Sequence, residues 1–126
     1  MKNLIIVAGM IISIIALLSF RIDYGETSNS KFSVPENIKI ILDKSCLPCH
    51  GRDGKSGAKM KWNYEKTGDL KPSKLVGRLS KIVSKVEKDK MPTAKFKKKY
   101  PDQVLTDEDK KALIGWANGL IEELTR

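Results

Sequence analysis

The sequence predicts an all-α domain that occupies residues 34–126 and follows an apolar N-terminal segment and a polar tether. Two observations predict this class. Apolar residues recur at helical spacing in three separate stretches. No stretch after residue 33 shows the sustained apolar–polar alternation that a half-buried strand would need. At 126 residues the chain has room for one domain rather than two.

The N-terminus is typical of a signal anchor or a signal peptide over residues 1–20. Lys2 supplies a positive charge, and residues 4–20 contain no charged side chain. The apolar run ends without a small-x-small cleavage site and approaches the length that spans a bilayer, which favours an uncleaved anchor over a cleaved signal. Because Lys2 would stay inside, we expect the rest of the chain in the periplasm or on the outer face of the cytoplasmic membrane. Residues 21–33 are polar and indicate a tether.

The first helix is expected to begin at Ser33. Ser33 and Glu36 match a capping box, and Pro35 occupies a position where a first-turn proline is tolerated. The apolar stripe of this helix consists of Ile38, Ile41 and Leu42. The helix should run directly into Cys46.

A second helix is expected from about Ser73 to a point before Met91. Glycines and a proline predict a loop over residues 51–72 in front of it. The helix should end before Met91 because a residue that precedes proline disfavours helical geometry. Its apolar face consists of Leu75, Val76, Leu79, Ile82, Val83 and Val86. A lysine-rich loop should follow and reach Tyr100.

The third helix has the clearest start signal of the three. Thr106 and Asp109 form a capping pattern, and Asp107 and Glu108 suit the positive end of the helix dipole. The buried stripe consists of Leu113, Trp116, Ala117, Leu120, Ile121 and Leu124.

Cys46, Cys49 and His50 form a C-x-x-C-H sequence, the attachment signature of c-type haem. Two thiols three residues apart on a helical turn can form thioethers with the two vinyl groups of one porphyrin. The imidazole of the next residue then lies under the iron as the proximal ligand. His50 is the only histidine in the chain, which excludes a bis-histidine site within one molecule. We therefore expect one covalent haem c.

Other uses of the two cysteines stay open. A thioredoxin-type redox pair has the same spacing, but it needs a βαβ framework that the sequence does not indicate. Zinc would need two further ligands from carboxylates or water, because the chain has no other Cys or His. A structural disulfide between Cys46 and Cys49 would close too small a loop to stabilise the fold much.

Met91 is the candidate distal ligand of the iron. Met1 and Met10 lie in the apolar segment, which leaves Met60 and Met91. Met60 follows His50 by only ten residues, whereas Met91 comes after a full helix and can reach the opposite face of the haem. Thioether ligation favours Fe(II) and raises the reduction potential, as suits an electron carrier.

The charges and aromatic residues suggest how such a site would be surrounded. The formal net charge of +9 favours acidic redox partners, and no nucleic-acid-binding motif is present. The run from Lys95 to Lys99 is either a solvated loop or a rim near Met91 that steers such a partner. Trp62 or Tyr64 could hydrogen-bond a haem propionate.

The chain from about residue 36 to 120 resembles the haem-binding domain family, which is related to class I cytochromes c. The likeness rests on Cys46 to His50, on Met91-Pro92 followed by Tyr100-Pro101, and on the residues from Leu105 to Ala117. The resemblance implies a cytochrome c-like fold, thioether bonds at Cys46 and Cys49, and axial ligation by His50 and Met91. We expect a monomeric electron carrier rather than an enzyme. A haem sensor, a peroxidase-like enzyme and a thiol–disulfide oxidoreductase are the alternatives.

Overall fold

The computed structural model describes residues 32–126, and this part of the chain is helical throughout, with no strand. This confirms the all-α class. The predicted signal segment and most of the tether lie outside the described residues, and within residues 32–126 no helix is long and apolar enough to cross a membrane. Residues 32–126 form six helices, α1 (Glu36–Ser45), α2 (Leu47–His50), α3 (Ser56–Lys61), α4 (Pro72–Glu87), α5 (Ala94–Lys99) and α6 (Asp107–Thr125). Two 3₁₀ turns cover Tyr64–Lys66 and Pro101–Gln103.

The start of α1 differs from the prediction. The helix begins at Glu36, its N-cap is Pro35 with extended geometry, and no side chain caps it. The expected capping box between Ser33 and Glu36 is therefore wrong. Ser33 could be the N-cap only if Val34 were helical, and a residue that precedes proline favours extended backbone. The carbonyl oxygen of Ser33 instead accepts a hydrogen bond from Trp116 Nε1 at 3.2 Å, which fixes the entry to α1 against α6.

The two predicted loops contain short helices. Helix α3 and the turn Tyr64–Lys66 occupy the expected loop over residues 51–72, and α5 occupies the expected lysine-rich loop. Thr93 caps α5, since its side chain accepts a hydrogen bond from the Phe96 amide at 3.3 Å. Elements of six residues are too short to show a 3.6-residue period, so the sequence pattern missed them.

Helices α4 and α6 make the most extensive helix–helix contact in the described part of the chain. Leu75 and Leu79 of α4 are fully buried against Ala117 and Leu120 of α6. Truncating a buried leucine such as Leu75 to alanine costs about 2–5 kcal/mol. A second cluster packs α1 on α6 and contains Ile38, Ile41, Leu42, Trp62, Val86, Leu105 and Leu113.

The capping box at the start of α6 forms as predicted. Thr106 Oγ1 accepts from the Asp109 amide at 3.1 Å, and Asp109 Oδ2 accepts from the Thr106 amide at 3.0 Å. The same carboxylate lies 2.6 Å from Lys44 Nζ on α1. This ion pair ties the helix that leads into Cys46 to the start of α6.

Candidate functional site

All four residues predicted for haem binding line one cavity of about 510 Å³, a volume in the usual range for ligand and cofactor sites. Cys46, Cys49 and His50 come from the end of α1 and from α2, and Met91 comes from the loop after α4. Further walls are supplied by residues of α3, α4 and α5. Residues separated by 45 positions in the sequence therefore meet at one site.

A single tight turn places the two thiols and the imidazole on the cavity. Cys46 is the C-cap of α1 and the N-cap of α2. Its carbonyl oxygen accepts hydrogen bonds from the Cys49 amide at 3.1 Å and from the His50 amide at 2.9 Å. Helical geometry over these five residues explains why a C-x-x-C-H spacing brings all three side chains to one wall.

The loop after His50 closes back on the same turn. The Gly54 amide donates to the Gly51 carbonyl oxygen at 3.0 Å. A Cβ atom at Gly54 would overlap the carbonyl group of Cys49, so a side chain is excluded here by close backbone approach. Gly54 thus lets the chain turn tightly beneath Cys49.

Within residues 32–126 neither Cys46 nor Cys49 forms a disulfide. Desolvation, with a smaller effect from the neighbouring Cys49, raises the pKa of Cys46 to about 12. Cys46 is therefore protonated at neutral pH. Activated cysteines of thiol–disulfide oxidoreductases show the opposite shift, because they react as thiolates.

The hydrogen bond of His50 indicates which ring nitrogen carries the proton. His50 Nδ1 lies 2.9 Å from the carbonyl oxygen of Trp62. A carbonyl oxygen can only accept, so Nδ1 carries the proton and Nε2 of the neutral ring keeps its lone pair. The rings of His50 and Trp62 also pack, with centroids 4.9 Å apart. This arrangement orients an imidazole for binding a metal through Nε2.

Trp62 or Tyr64 could hydrogen-bond a propionate only through a free donor, and the indole N–H of Trp62 is already bonded within the protein. Trp62 is buried, and its Nε1 donates to Thr67 Oγ1 at 2.9 Å. The Thr67 hydroxyl in turn donates to the carbonyl oxygen of Asn63 at 3.0 Å, so each group has a partner within the protein. Tyr64 does not line the cavity and packs edge-on against Trp62 and Phe32. Trp62 also lines the cavity, and its backbone carbonyl contacts His50, a contact that sequence patterns do not reveal.

The structure separates the two candidate methionines. Met91 lines the cavity and is half-buried, whereas Met60 is 88% exposed and does not line it. Pro92 and Phe96, both buried, line the cavity beside Met91. Met91 is therefore placed as the prediction requires, and its role as a ligand stays a prediction.

Asp89 anchors the loop that carries Met91. It adopts a left-handed conformation (φ 52°) just past α4, and the Lys90 amide donates to the Lys85 carbonyl oxygen at 2.9 Å, as in a Schellman motif. The Asp89 carboxylate lies 2.7 Å from Lys97 Nζ on α5 and 3.2 Å from Lys110 Nζ on α6. The hydrogen bond from Lys97, followed by that from Lys110, holds the pKa of Asp89 below its usual value.

The basic side chains around the cavity are different from those expected. Of the run from Lys95 to Lys99, only Phe96 lines the cavity, and this run is a helix rather than a loop. The cations that do line it are Lys55, Lys61, Arg78, Lys81 and Lys85. The spacing of Arg78, Lys81 and Lys85 beside Ile82 on α4 was the sequence signal that could have identified them.

These residues fit a haem. The cavity walls are mainly apolar, two thiols and an imidazole with a free Nε2 lie on one side, and a thioether lies on the same cavity. The basic residues of the lining could hold the propionates.

Comparison with known proteins agrees with this fit. The sequence model of the haem-binding domain family matches residues 53–119, slightly more than half of the chain. The match begins three residues beyond His50 and includes Met91. No curated protein and no solved structure is significantly similar to the chain. The chain belongs to the haem-binding domain family.

Proposed function

We propose that this protein is an exported monohaem c-type cytochrome that transfers single electrons. Cys46 and Cys49 would hold the haem through thioether bonds, His50 would be the proximal ligand and Met91 the distal ligand. The bound haem would supply an iron that cycles between Fe(III) and Fe(II). A signal segment over residues 1–20 would deliver the chain to the periplasmic side of the membrane.

The observation that carries this proposal is the convergence of the four side chains on one cavity. Cys46, Cys49 and His50 share a helical turn, and Met91 reaches the same cavity from a loop after α4. The Trp62 carbonyl oxygen keeps the proton on Nδ1 of His50 and leaves Nε2 available. Apolar walls such as Ile82, Leu105 and Phe96 would exclude water and limit the reorganisation that accompanies electron transfer.

The thiol–disulfide alternative is less well supported. A thiol that attacks a disulfide must be ionised, and burial raises the pKa of Cys46 to about 12. The described part of the chain also has no strand, whereas thioredoxin-like proteins build their redox pair on a βαβ unit. Both points favour a use of the thiols that does not depend on a thiolate.

A peroxidase-like enzyme would need an acid–base group on the distal side. Among the described residues that line the cavity there is no Asp or Glu, and His50 is the only histidine of the chain. A sensor would need a distal ligand that leaves readily, whereas the Met91 loop is anchored through Asp89 to two other helices. These features favour electron transfer.

The proposed function is tested by spectroscopy and electrochemistry on holoprotein matured in a host that attaches c-type haem. We expect a reversible one-electron couple and a near-infrared methionine-to-iron charge-transfer band. Met91→Ala should abolish the band and lower the potential, because a thioether ligand stabilises Fe(II). Met60→Ala is the matched control and should leave both unchanged, since Met60 is 88% exposed. Survival of the band in Met91→Ala would contradict the ligand assignment.

A further inference from the structure

The cavity is bordered by positive charge that no acidic residue offsets. Its lining contains five basic residues, Lys55, Lys61, Arg78, Lys81 and Lys85, and in the described part of the chain it contains no Asp or Glu. The four lysines are exposed and Arg78 is half-buried. We call these five residues the cationic rim, because they line the cavity and reach solvent at the same time.

The cationic rim is built by two helices that flank the cavity. Arg78, Lys81 and Lys85 lie on one face of α4, at positions i, i+3 and i+7. Lys55 and Lys61 lie at the two ends of α3. The Arg78 guanidinium donates to the Lys61 carbonyl oxygen, which connects the two helices. The rim is therefore a fixed feature of the fold rather than a set of unrelated surface lysines.

Within residues 32–126, six basic residues outside the rim pair with carboxylates and ten do not, so the rim is distinguished by the position of its charges around the cavity. Within residues 32–126, no rim residue forms an ion pair with an Asp or Glu. Pairs away from the rim include Lys39–Asp43, Lys44–Asp109, Lys97–Asp89 and Arg126–Glu122. Two propionates of a bound haem would offset about two of the five rim charges and leave the rim positive.

We propose that the cationic rim is the surface on which an acidic redox protein docks, so that electrons enter and leave through this opening of the cavity. The inference rests on the proposed function and adds the location of the docking surface and the charge of the partner. Unpaired cations around the mouth of a redox site attract and orient an acidic protein, and they raise the association rate most at low ionic strength. The run from Lys95 to Lys99 is excluded from this role, because its lysines do not line the cavity and Lys97 is paired with Asp89.

The test compares two charge-reversal variants with equal changes in net charge. The rim variant is Lys81→Glu/Lys85→Glu, and the control is Lys98→Glu/Lys111→Glu, whose two positions are exposed and do not line the cavity. The rate of electron exchange between each holoprotein and an acidic plastocyanin is measured by stopped flow over a range of salt concentrations. At low salt we expect the rim variant to react at least about tenfold more slowly, and the control less than about threefold more slowly. The difference should shrink as salt is added.

Two small reagents separate charge from structural damage. Hexacyanoferrate(III) is anionic and tris(phenanthroline)cobalt(III) is cationic. The rim variant should react more slowly with the anion and faster with the cation, whereas a distorted site or a changed potential would move both rates in one direction. The proposal would be overturned if the rate of reaction with plastocyanin fell equally in the rim variant and the control. It would also be overturned if that rate did not change in the rim variant. Another outcome is that the rim variant keeps the wild-type rate with plastocyanin but loses the binding to phosphatidylglycerol vesicles that wild type shows. That pair of results would show that the rim faces a membrane instead.

The absorption spectrum of each preparation distinguishes failure of this inference from failure of the proposed function. A protein without a c-type haem spectrum contradicts the proposed function, and the docking proposal falls with it. A protein with that spectrum and a reversible couple, but with no difference between the rim variant and the control, leaves the cytochrome assignment standing and contradicts only the docking surface.

Discussion

His50 Nδ1 and the carbonyl oxygen of Trp62 are 2.9 Å apart, although the two residues are twelve positions apart in the chain. The position of that carbonyl depends on the Trp62 side chain, whose Nε1 is held by Thr67 Oγ1 at 2.9 Å. Trp62 and Thr67, which flank the 3₁₀ turn and are both buried, therefore support the group that orients the predicted proximal ligand. Such supporting contacts commonly decide how a ligating imidazole is held.

The pair Trp62–Thr67 is tested by a double-mutant cycle. Thr67→Val should lower the free energy of unfolding of the holoprotein by about 1–3 kcal/mol, because it leaves the buried Nε1 of Trp62 without an acceptor. The same substitution in a Trp62→Phe background should cost less, since the donor is gone. Urea unfolding gives the free energy of unfolding of wild type, the two single variants and the double variant. Additive effects of the two substitutions would show that the hydrogen bond contributes nothing.

Asp89 is expected to hold Met91 in place by binding Lys97 and Lys110. Asp89→Gly keeps the left-handed backbone without strain but removes the carboxylate. It should raise the affinity of the ferric protein for added imidazole severalfold, because a loosened Met91 is displaced more easily. Spectroscopic titration with imidazole measures this. Asp107→Asn is the control, since Asp107 also lies near Lys110, at 3.8 Å, but does not belong to the Met91 loop. Equal affinities in Asp89→Gly and wild type would contradict this role.

The ion pair between Lys44 and Asp109 predicts a pH-dependent contribution to stability. Partial burial alone would raise the pKa of Asp109, but hydrogen bonds from Lys44 and from the Thr106 amide outweigh it and lower the pKa below 3.8. The ionised form therefore stabilises the fold above that pH, and the contribution is lost as pH falls through the lowered pKa. Asp109→Asn should cost about 1 kcal/mol at neutral pH, while the Asn side-chain oxygen can still accept the hydrogen bond from the Thr106 amide.

This pH dependence is checked by chemical unfolding of wild type and Asp109→Asn from neutral to acid pH. The difference in unfolding free energy between them should be constant between about pH 5 and 8 and should shrink below about pH 4. Lys44→Met should show the same loss at neutral pH, because it removes the other partner. A difference that grows on acidification would mean that the sign is wrong.

Gly54 and Gly57 provide a matched pair of substitutions beside the haem-attachment turn. Gly54→Ala should impair folding or haem attachment, because the new Cβ would overlap the Cys49 carbonyl group. Gly57→Ala should be tolerated or should stabilise by about 0.5–1 kcal/mol, since it lies in α3 with open space around it. The yield of covalent haem and the thermal midpoint are the measurements. Normal haem content in Gly54→Ala would contradict the close approach.

The sequence alone predicts those elements whose pattern is periodic or lies within a few consecutive residues. The apolar stripes of α4 and α6 and the capping box of Thr106 are formed as predicted, and the C-x-x-C-H turn needs only five consecutive residues. The same capping pattern failed at Ser33, because Pro35 became the N-cap and Ser33 bonded to Trp116 instead. A capping pattern next to a proline thus does not determine where the helix begins unless the tertiary contacts of the capping residue are known.

The rest of the site depends on contacts between distant residues. The acceptor for His50 is a backbone carbonyl, which every residue carries, so no residue type marks Trp62 for this role. Met60 and Met91 differ in the structure by exposure, and that difference follows from how the loop after α4 packs. The lysines of α5 are consecutive enough to be recognised in the sequence as a basic cluster. The cationic rim is spread over α3 and α4 and becomes a cluster only after folding.

The central claim is a covalent bond between one haem and the thiols of Cys46 and Cys49. Intact-mass spectrometry under denaturing conditions, on protein matured in a host that attaches c-type haem, tests it most directly. We predict the mass of the polypeptide plus one haem, with neither thiol open to iodoacetamide and with loss of the added mass in Cys46→Ser/Cys49→Ser. Polypeptide mass alone, with both thiols alkylated, would contradict the account.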